Sequence, residues 1–233
     1  MDLVQTFVDG LDEVLGGGIP KGSVVLVSGS PGTMKTSLAF SIAYNNIKSN
    51  GSKGLYITLE ESIEDLKADM EAMGMAGLDK LDMRILDVGK IRLEHKDDEA
   101  SKNWLDVLIK YTEHRVSVDK FDIVVVDSLA ALYALTKLAN PRRELFHFFG
   151  FLKGLGATVL LVSEIPSGQT RLAAFDEDFL ADGIIFLKQY EMGETDVQLR
   201  IRCIKMRRRK HKHGYFALIF ENGKFAVTNV ITE

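Results

Sequence analysis

Val24 to Ser37 read "VVLVSGSPGTMKTS", and this stretch decides the fold class. A continuously apolar run rich in β-branched residues reads as a strand covered on both faces. It leads into Gly29, Ser30, Pro31, Gly32, Thr33, Met34, Lys35, Thr36 and Ser37, and a helical pattern starts at Lys35. In a strand–turn–helix of this kind, successive backbone N–H groups and the helix N-terminus cradle phosphate. Lys35 then reaches the β- and γ-phosphates of ATP, and the Thr36 hydroxyl ligates Mg2+. One position departs from the pattern. The residue before the lysine is glycine in the phosphate-loop motif, and here it is Met34. Placed in the first helical turn, Met34 has a negative φ, at which a Cβ is permitted. The expected cost is crowding of the phosphates rather than backbone strain. The competing reading is a Gly-rich βα turn with a chance Lys-Thr.

Similar apolar runs recur along the chain. Strands are expected at Val24–Ser28, Leu55–Leu59, Met83–Leu86, Ile123–Val126, Thr158–Val162 and Ile184–Leu187. Helical periodicity falls between them, at Lys35–Ile47, Ile63–Met73 behind a capping box Ser62-x-x-Asp65, Trp104–Tyr111 and Arg142–Leu152. Strands alternating with helices imply a parallel sheet with right-handed crossovers. After Leu187 the pattern changes. Val197–Met206, Tyr215–Glu221 and Lys224–Asn229 read as antiparallel strands, the last two joined at Asn222-Gly223. The expected architecture is a phosphate-loop α/β core with a mostly parallel twisted sheet, flanking helices and C-terminal antiparallel strands. No domain boundary is visible, so residues 1–233 are expected to form one domain.

Two more strand ends carry acids. "FDIVVVDSLAAL" ends a buried strand in Asp127. An acid at the C-terminal end of a parallel strand sits where ligands bind in such sheets, and it can hold the Mg2+ shell. "LYITLEES" ends in Glu60 and Glu61. One of these carboxylates can orient and deprotonate an attacking water. Equally, both can belong to the first turn of the next helix, where the dipole favours acids. Composition leaves both readings open. Ser128 and Ser163 read as sheet-end hydroxyls without a catalytic role.

The rest of the composition mainly excludes. Apolar residues make up 46% of the 233, which is not a disordered chain. Cys203 is the only cysteine, so no internal disulfide exists, and a reducing, cytoplasmic setting is expected. The N-terminus lacks a signal-peptide pattern and no apolar run is long enough to span a membrane. No zinc-type spacing occurs among the five histidines and the lone cysteine. The net charge of −4 does not indicate a broad nucleic-acid surface. Yet Ile204 to Gly214, "IKMRRRKHKHG", packs six Lys or Arg and two His together. It is either a solvated hairpin tip or a cluster facing an anion.

Gly10–Phe40, Gly54–Ser62, Val124–Leu132, Arg142–Glu164, Phe179–Leu187 and Ile201–Gly214 together resemble the KaiC-like branch of the RecA superfamily of ATPases. The resemblance runs from about Val8 to Val227 and fits one KaiC-type domain. It implies a RecA-like fold, bound ATP and Mg2+, and a homo-oligomeric ring, expected to be a hexamer, with nucleotide between subunits. It also implies a protein partner. It assigns Glu60 and Glu61 to water activation, and Lys205 and Arg207 to the phosphate held by a neighbouring subunit. Arg208, Arg209, Lys210 and Lys212 exceed the family's usual loop. Family members that phosphorylate themselves carry hydroxyls where this chain has Asp178 and Phe179, so autokinase activity is not expected.

Three readings follow. The first is a slowly hydrolysing ATPase that switches a ring's conformation. The second is an ATP-binding assembly module in which Met34 has abolished turnover. The third is a recombinase-like protein binding single-stranded DNA through Arg171 and the basic run. The third is disfavoured because the chain begins almost at the ATPase core, and "IPSGQTRLAAFDEDF" offers two aromatics against three acids.

Overall fold

The structure is a computed structural model that describes residues 2–94, 103–136, 138–165 and 172–230. In chain order, β1 (Leu3–Val4), α1 (Leu11–Val14) and β2 (Ile19–Pro20) lead into β3 (Val24–Gly29) and α2 (Lys35–Asn50). Then come β4 (Gly54–Thr58), α3 (Ile63–Ala72), β5 (Met83–Asp87), α4 (Val88–Glu94), α5 (Trp104–Val118), β6 (Ile123–Asp127) and α6 (Leu129–Leu135). The chain continues through α7 (Pro141–Gly154), β7 (Thr158–Glu164), α8 (Glu177–Leu180), β8 (Gly183–Met192), β9 (Asp196–Met206), β10 (Phe216–Glu221) and β11 (Lys224–Asn229).

The last nine strands form one sheet, ordered β11-β10-β9-β8-β3-β7-β6-β4-β5. The six from β8 to β5 are parallel, and β9, β10 and β11 add to it antiparallel. The expected α/β class and its antiparallel C-terminal extension are therefore as read from the sequence. Alternation within β3 shows how the core divides. Val25 and Val27 pack with Leu38, Ile42 and Ile47 of α2, whereas Val24 and Leu26 pack with Leu145, Phe148 and Leu152 of α7. Both faces are covered, which is why the strand reads as an unbroken apolar run.

Local signals behave as their chemistry requires. Ser62 Oγ accepts from the Asp65 amide 3.1 Å away and caps α3. Asn222 and Gly223 both have positive φ, 51° and 74°, and close the β10–β11 hairpin with Glu221 opposite Lys224. The small antiparallel pair β1–β2 and the short helices α1, α6 and α8 carried no legible period.

Candidate functional site

The parallel order brings the C-terminal ends of β3, β4, β6 and β7 to one edge of the sheet. β3 ends at Gly29, where a Cβ would lie 2.5 Å from the Leu187 carbonyl oxygen and 2.7 Å from Thr33 Oγ1. Only glycine fits so close an approach. Thr33, fully buried, donates its hydroxyl to the Ser30 carbonyl at 2.7 Å and ties the turn to itself. Gln189 on β8 donates to the Gly32 carbonyl at 3.5 Å from the outer side. Lys35 is 6% exposed. Its ammonium donates to the Ser30 carbonyl at 3.0 Å and lies 3.5 Å from a Glu164 carboxylate oxygen. The charge thus points back into the loop.

Met34 corrects the expectation about its backbone. It is not in the first helical turn but caps α2, with φ 63° and ψ 31°, in the left-handed region. Glycine enters that region without a Cβ penalty, and methionine does not. The departure from the loop pattern therefore falls on the backbone, not only on the space left for phosphate. The Met34 side chain packs against the α2 core in compensation.

The acids converge on the same edge. Asp127 ends β6 and accepts from the buried Tyr56 hydroxyl at 2.7 Å, with the Thr36 hydroxyl beside it. Burial raises the Asp127 carboxyl above the ordinary range, and the hydroxyls of Tyr56 and Thr36 offset part of that rise. The two residues expected to serve Mg2+ thus lie side by side. Glu60 accepts from Ser128 Oγ at 2.6 Å. Ser128 also caps α6, so it does more than end a strand. Glu61 is raised by burial first, then by the charges of Asp127, Asp69, Glu60 and Asp65 around it. Because α3 starts at Ile63 behind Ser62, its first-turn acids are Glu64 and Asp65. Glu60 and Glu61 precede the helix, which disfavours the helix-start reading of the pair. Pro31 and Gly32 are exposed on the outside of the loop, and Ser37 is half-buried in the first turn of α2.

Two participants went unread in the sequence. Glu164 ends a buried parallel strand just as Asp127 does, and "VLLVSE" carried the same signal as "VVVD". Tyr56 gave none, because an aromatic inside an apolar strand reads as core.

Lys205 and Arg207 lie elsewhere. Lys205 pairs with Ile184, which pairs with Leu26, so both cations sit toward the N-terminal end of β3, away from the chain's own loop. Lys205 Nζ donates to the Asp178 carbonyl at 3.1 Å, and Arg207 donates to the Phe179 carbonyl at 3.1 Å and to Asp182 at 3.2 Å. Arg207 follows the strand rather than ending it, since β9 stops at Met206. The remainder of the basic run is not a free tip. The Lys212 amide donates to the Val14 carbonyl at 2.8 Å and its ammonium pairs with Glu13 at 2.6 Å. Arg209 lies against Gly17. Residues 209–212 thus strap Gly16 and Gly17 at the end of α1. Arg171 lies outside the described residues.

A family model described as the KaiC ATPase matches residues 4–229. The circadian clock oscillator protein KaiC of a Picosynechococcus strain is 30% identical over 225 residues, covering 94% of this chain and 43% of that protein. This chain therefore spans less than half the length of the clock proteins it matches. A UPF0273 protein from Thermotoga maritima is 32% identical over 220 residues, covering 91% of this chain and 88% of the relative. Among solved structures, the KaiC-like protein of the archaeon Pyrococcus horikoshii OT3 superposes with a TM-score of 0.79 at 24% identity, over 97% of this chain and 98% of that one. With a match that runs almost from end to end of a RecA-like sheet, the chain belongs to the KaiC family of ATPases.

Proposed function

We propose that this chain is a Mg2+-dependent ATPase of slow turnover that assembles head to tail as a ring, a hexamer by preference, and acts as a nucleotide-dependent switch for a protein partner. One observation carries the reading. Lys35, the Thr36–Asp127 pair and the Ser128-held Glu60 meet at a single sheet edge beside a glycine-rich turn. Each element supplies one requirement of phosphoryl transfer. Backbone N–H groups of the Gly29–Ser37 loop, Pro31 excepted, and the Lys35 ammonium bind the phosphates. Thr36 and Asp127 supply hard oxygen ligands, which suit Mg2+. Among the described residues no three His, Cys, Asp or Glu side chains converge as a metal cage, so the ion would share this pair with phosphate oxygens and water. When bound, Mg2+ neutralises charge developing on the β- and γ-phosphate oxygens. Glu60, oriented by Ser128, or its neighbour Glu61 takes the proton of the attacking water.

Lys205 and Arg207 complete the site in trans. Their register puts them beyond reach of their own loop, so a ring that presents them to the next subunit's phosphates gives them an anion. The strained Met34 favours a second reading, an assembly module that binds ATP without turnover. The DNA-binding reading is weakened by the ties of Lys212 to Glu13 and of Arg209 to the Gly17 segment, which hold part of the basic run within the chain. The test is mass in solution with and without Mg2+-ATP, together with phosphate release. A nucleotide-dependent ring that releases phosphate supports the first reading. A ring without release supports the second. A monomer in both conditions overturns the assembly.

A further inference from the structure

The β8–β9 hairpin carries a charged face that the site does not use. Arg200, Arg202 and Lys205 pair with Lys188, Phe186 and Ile184, which are alternate residues of β8. All therefore point to the same side, the side on which Ile184 packs with α7. Beyond Ile184 this face carries Phe186 and then cations and tyrosines. The Arg200 guanidinium lies 3.3 Å from the centroid of Tyr190. The Tyr215 ring has Lys188 at 3.9 Å and Arg202 at 5.4 Å. Stacking of this kind holds a guanidinium by its face and leaves its N–H edge for an acceptor. Arg200 Nε is bonded to Gln198, but Arg202 Nε is buried without a partner among the described residues. Lys188, Arg200 and Arg202 have no ion pair with a described carboxylate. Three unneutralised cations so arranged on a chain of net charge −4 need an acidic counterpart.

The same chain offers one. From Glu60 to Glu71 there are six acids, Glu60, Glu61, Glu64, Asp65, Asp69 and Glu71, and one base, Lys67. Lys67 is already paired with Asp79. Leu66 and Met70 bury the inner side of α3 and leave Glu64, Asp65, Asp69 and Glu71 exposed. The two surfaces lie on opposite halves of the sheet, since β8–β9 and β4 are separated by β3, β7 and β6. They cannot meet within one copy. A contact between different patches of identical chains is head to tail, and it propagates as a ring or a filament.

We propose that the cation–tyrosine face of β8–β9 in one copy docks on the acidic start of α3 in the next. The proposal rests on the head-to-tail reading above and names its electrostatic contact. It also follows from continuity. Lys205 belongs to the same face as Arg200 and Arg202, and Glu60 and Glu61 border the loop that Lys205 is proposed to serve. Delivering Lys205 and Arg207 to the neighbour's phosphates therefore carries the other cations toward the neighbour's acids.

Reciprocal charge reversal tests it. Arg200→Glu with Arg202→Glu turns the basic face acidic. Asp65→Lys with Asp69→Lys turns the acidic face basic. With Mg2+-ATP present, each double variant alone is expected to self-associate at least about 100-fold more weakly than the parent, since like charges then face each other. Each is expected to keep its binding of a fluorescent ATP analogue, which reports a folded loop. Mixed one to one, every contact is again between opposite charges, and the assembled mass returns. Parental assembly by either variant alone overturns the proposal. So does a mixture that stays monomeric while both components bind the analogue. If the variants assemble and an Arg207→Ala and Lys35→Ala mixture is active, the ring reading stands and only this contact fails. Salt-dependent binding of a labelled single-stranded oligonucleotide by the parent, lost in Arg200→Glu with Arg202→Glu, would overturn it in favour of nucleic acid.

Discussion

The phosphate-loop segment Val24–Ser37 and the basic run Ile204–Gly214 are the two densest chemical signals in the chain, and they are held in different ways. In the first, the shortest bonds are local. Thr33 and Lys35 bond to Ser30, and the helix begins at Lys35. In the second, each cation that is tied down uses a distant partner. Arg207 reaches Asp182, and Lys212 reaches Glu13, which is 199 residues away in sequence. A loop built from its own backbone can be read from its own letters. A cluster of cations can be read only after the fold shows what lies opposite each one. The proposed function separates them further: it has the loop bind phosphate within its own chain and has Lys205 and Arg207 act across a boundary between chains.

Lys35→Ala strikes the local half and carries the largest expected effect. The bound phosphate would lose its main side-chain counter-charge, and Glu164 would lose its cation. Breaking such a desolvated pair costs about 2–5 kcal/mol. Titration with a fluorescent ATP analogue should show that loss; unchanged affinity would reduce the loop to a turn.

Arg207→Ala strikes the distant half. A finger supplied in trans is worth roughly 10³-fold in rate, so this variant should bind ATP and lose turnover. Lys35→Ala subunits keep an intact finger, so mixing the two inactive variants should restore part of the activity. No recovery in mixtures shown to co-assemble would leave Arg207 as an intramolecular clamp on Asp182. That alternative has a physical basis. Burial alone would raise the Asp182 carboxyl, but hydrogen bonds from Lys153, the Val24 amide and Arg207 hold it below the ordinary range.

The strands were legible because burial on both faces leaves an apolar run, and the turn at Asn222-Gly223 because both residues take positive φ readily. Asp127 was legible as a polar residue ending such a run. Glu164 obeys the same rule, and its meaning emerged only when β7 was seen beside β3. Tyr56 was hidden because its hydroxyl acts from inside the core. The β1–β2 pair is two residues long on each side, too short for any period. The basic run resisted reading for the reason already given: Glu13, Asp182, Gly16 and Gly17 come to it through the tertiary fold.

Glu60→Gln and Glu61→Gln compare two adjacent acids within the local half. Glu60 is held by Ser128, while Glu61 is surrounded by like charge. Both variants should bind ATP, and at least one should hydrolyse it about 10²-fold more slowly, as loss of a general base requires. The Ser128 bond points to Glu60. Near-normal phosphate release from both single variants and the double variant would remove the pair from the chemistry.

Met34 is the point at which the local half departs from its own pattern, and it carries the smallest expected effect. A non-glycine residue in the left-handed region costs about 1–2 kcal/mol. Met34→Gly removes that cost, but it loses the methionine's packing against the core. It also gives the unfolded chain about 0.5–1 kcal/mol of extra freedom. The two sides nearly cancel, so stability should change by less than about 1 kcal/mol while turnover rises or stays the same. Met34→Val separates backbone from side chain. It keeps an apolar group, but a β-branched residue is a poor fit to φ 63°. Strain of this kind costs about 1–3 kcal/mol, and each kcal/mol lowers Tm by about 2–4 °C in a chain of this size. Thermal unfolding of parent, Met34→Gly and Met34→Val should therefore rank valine lowest, with the other two close together. A valine variant as stable as the parent would show that the loop relaxes to negative φ at no cost, and crowding at the phosphates would again be the better account. A sharp fall in turnover for a folded Met34→Gly would instead give the methionine a positive role, in which its anchored side chain holds the loop in the shape that binds phosphate.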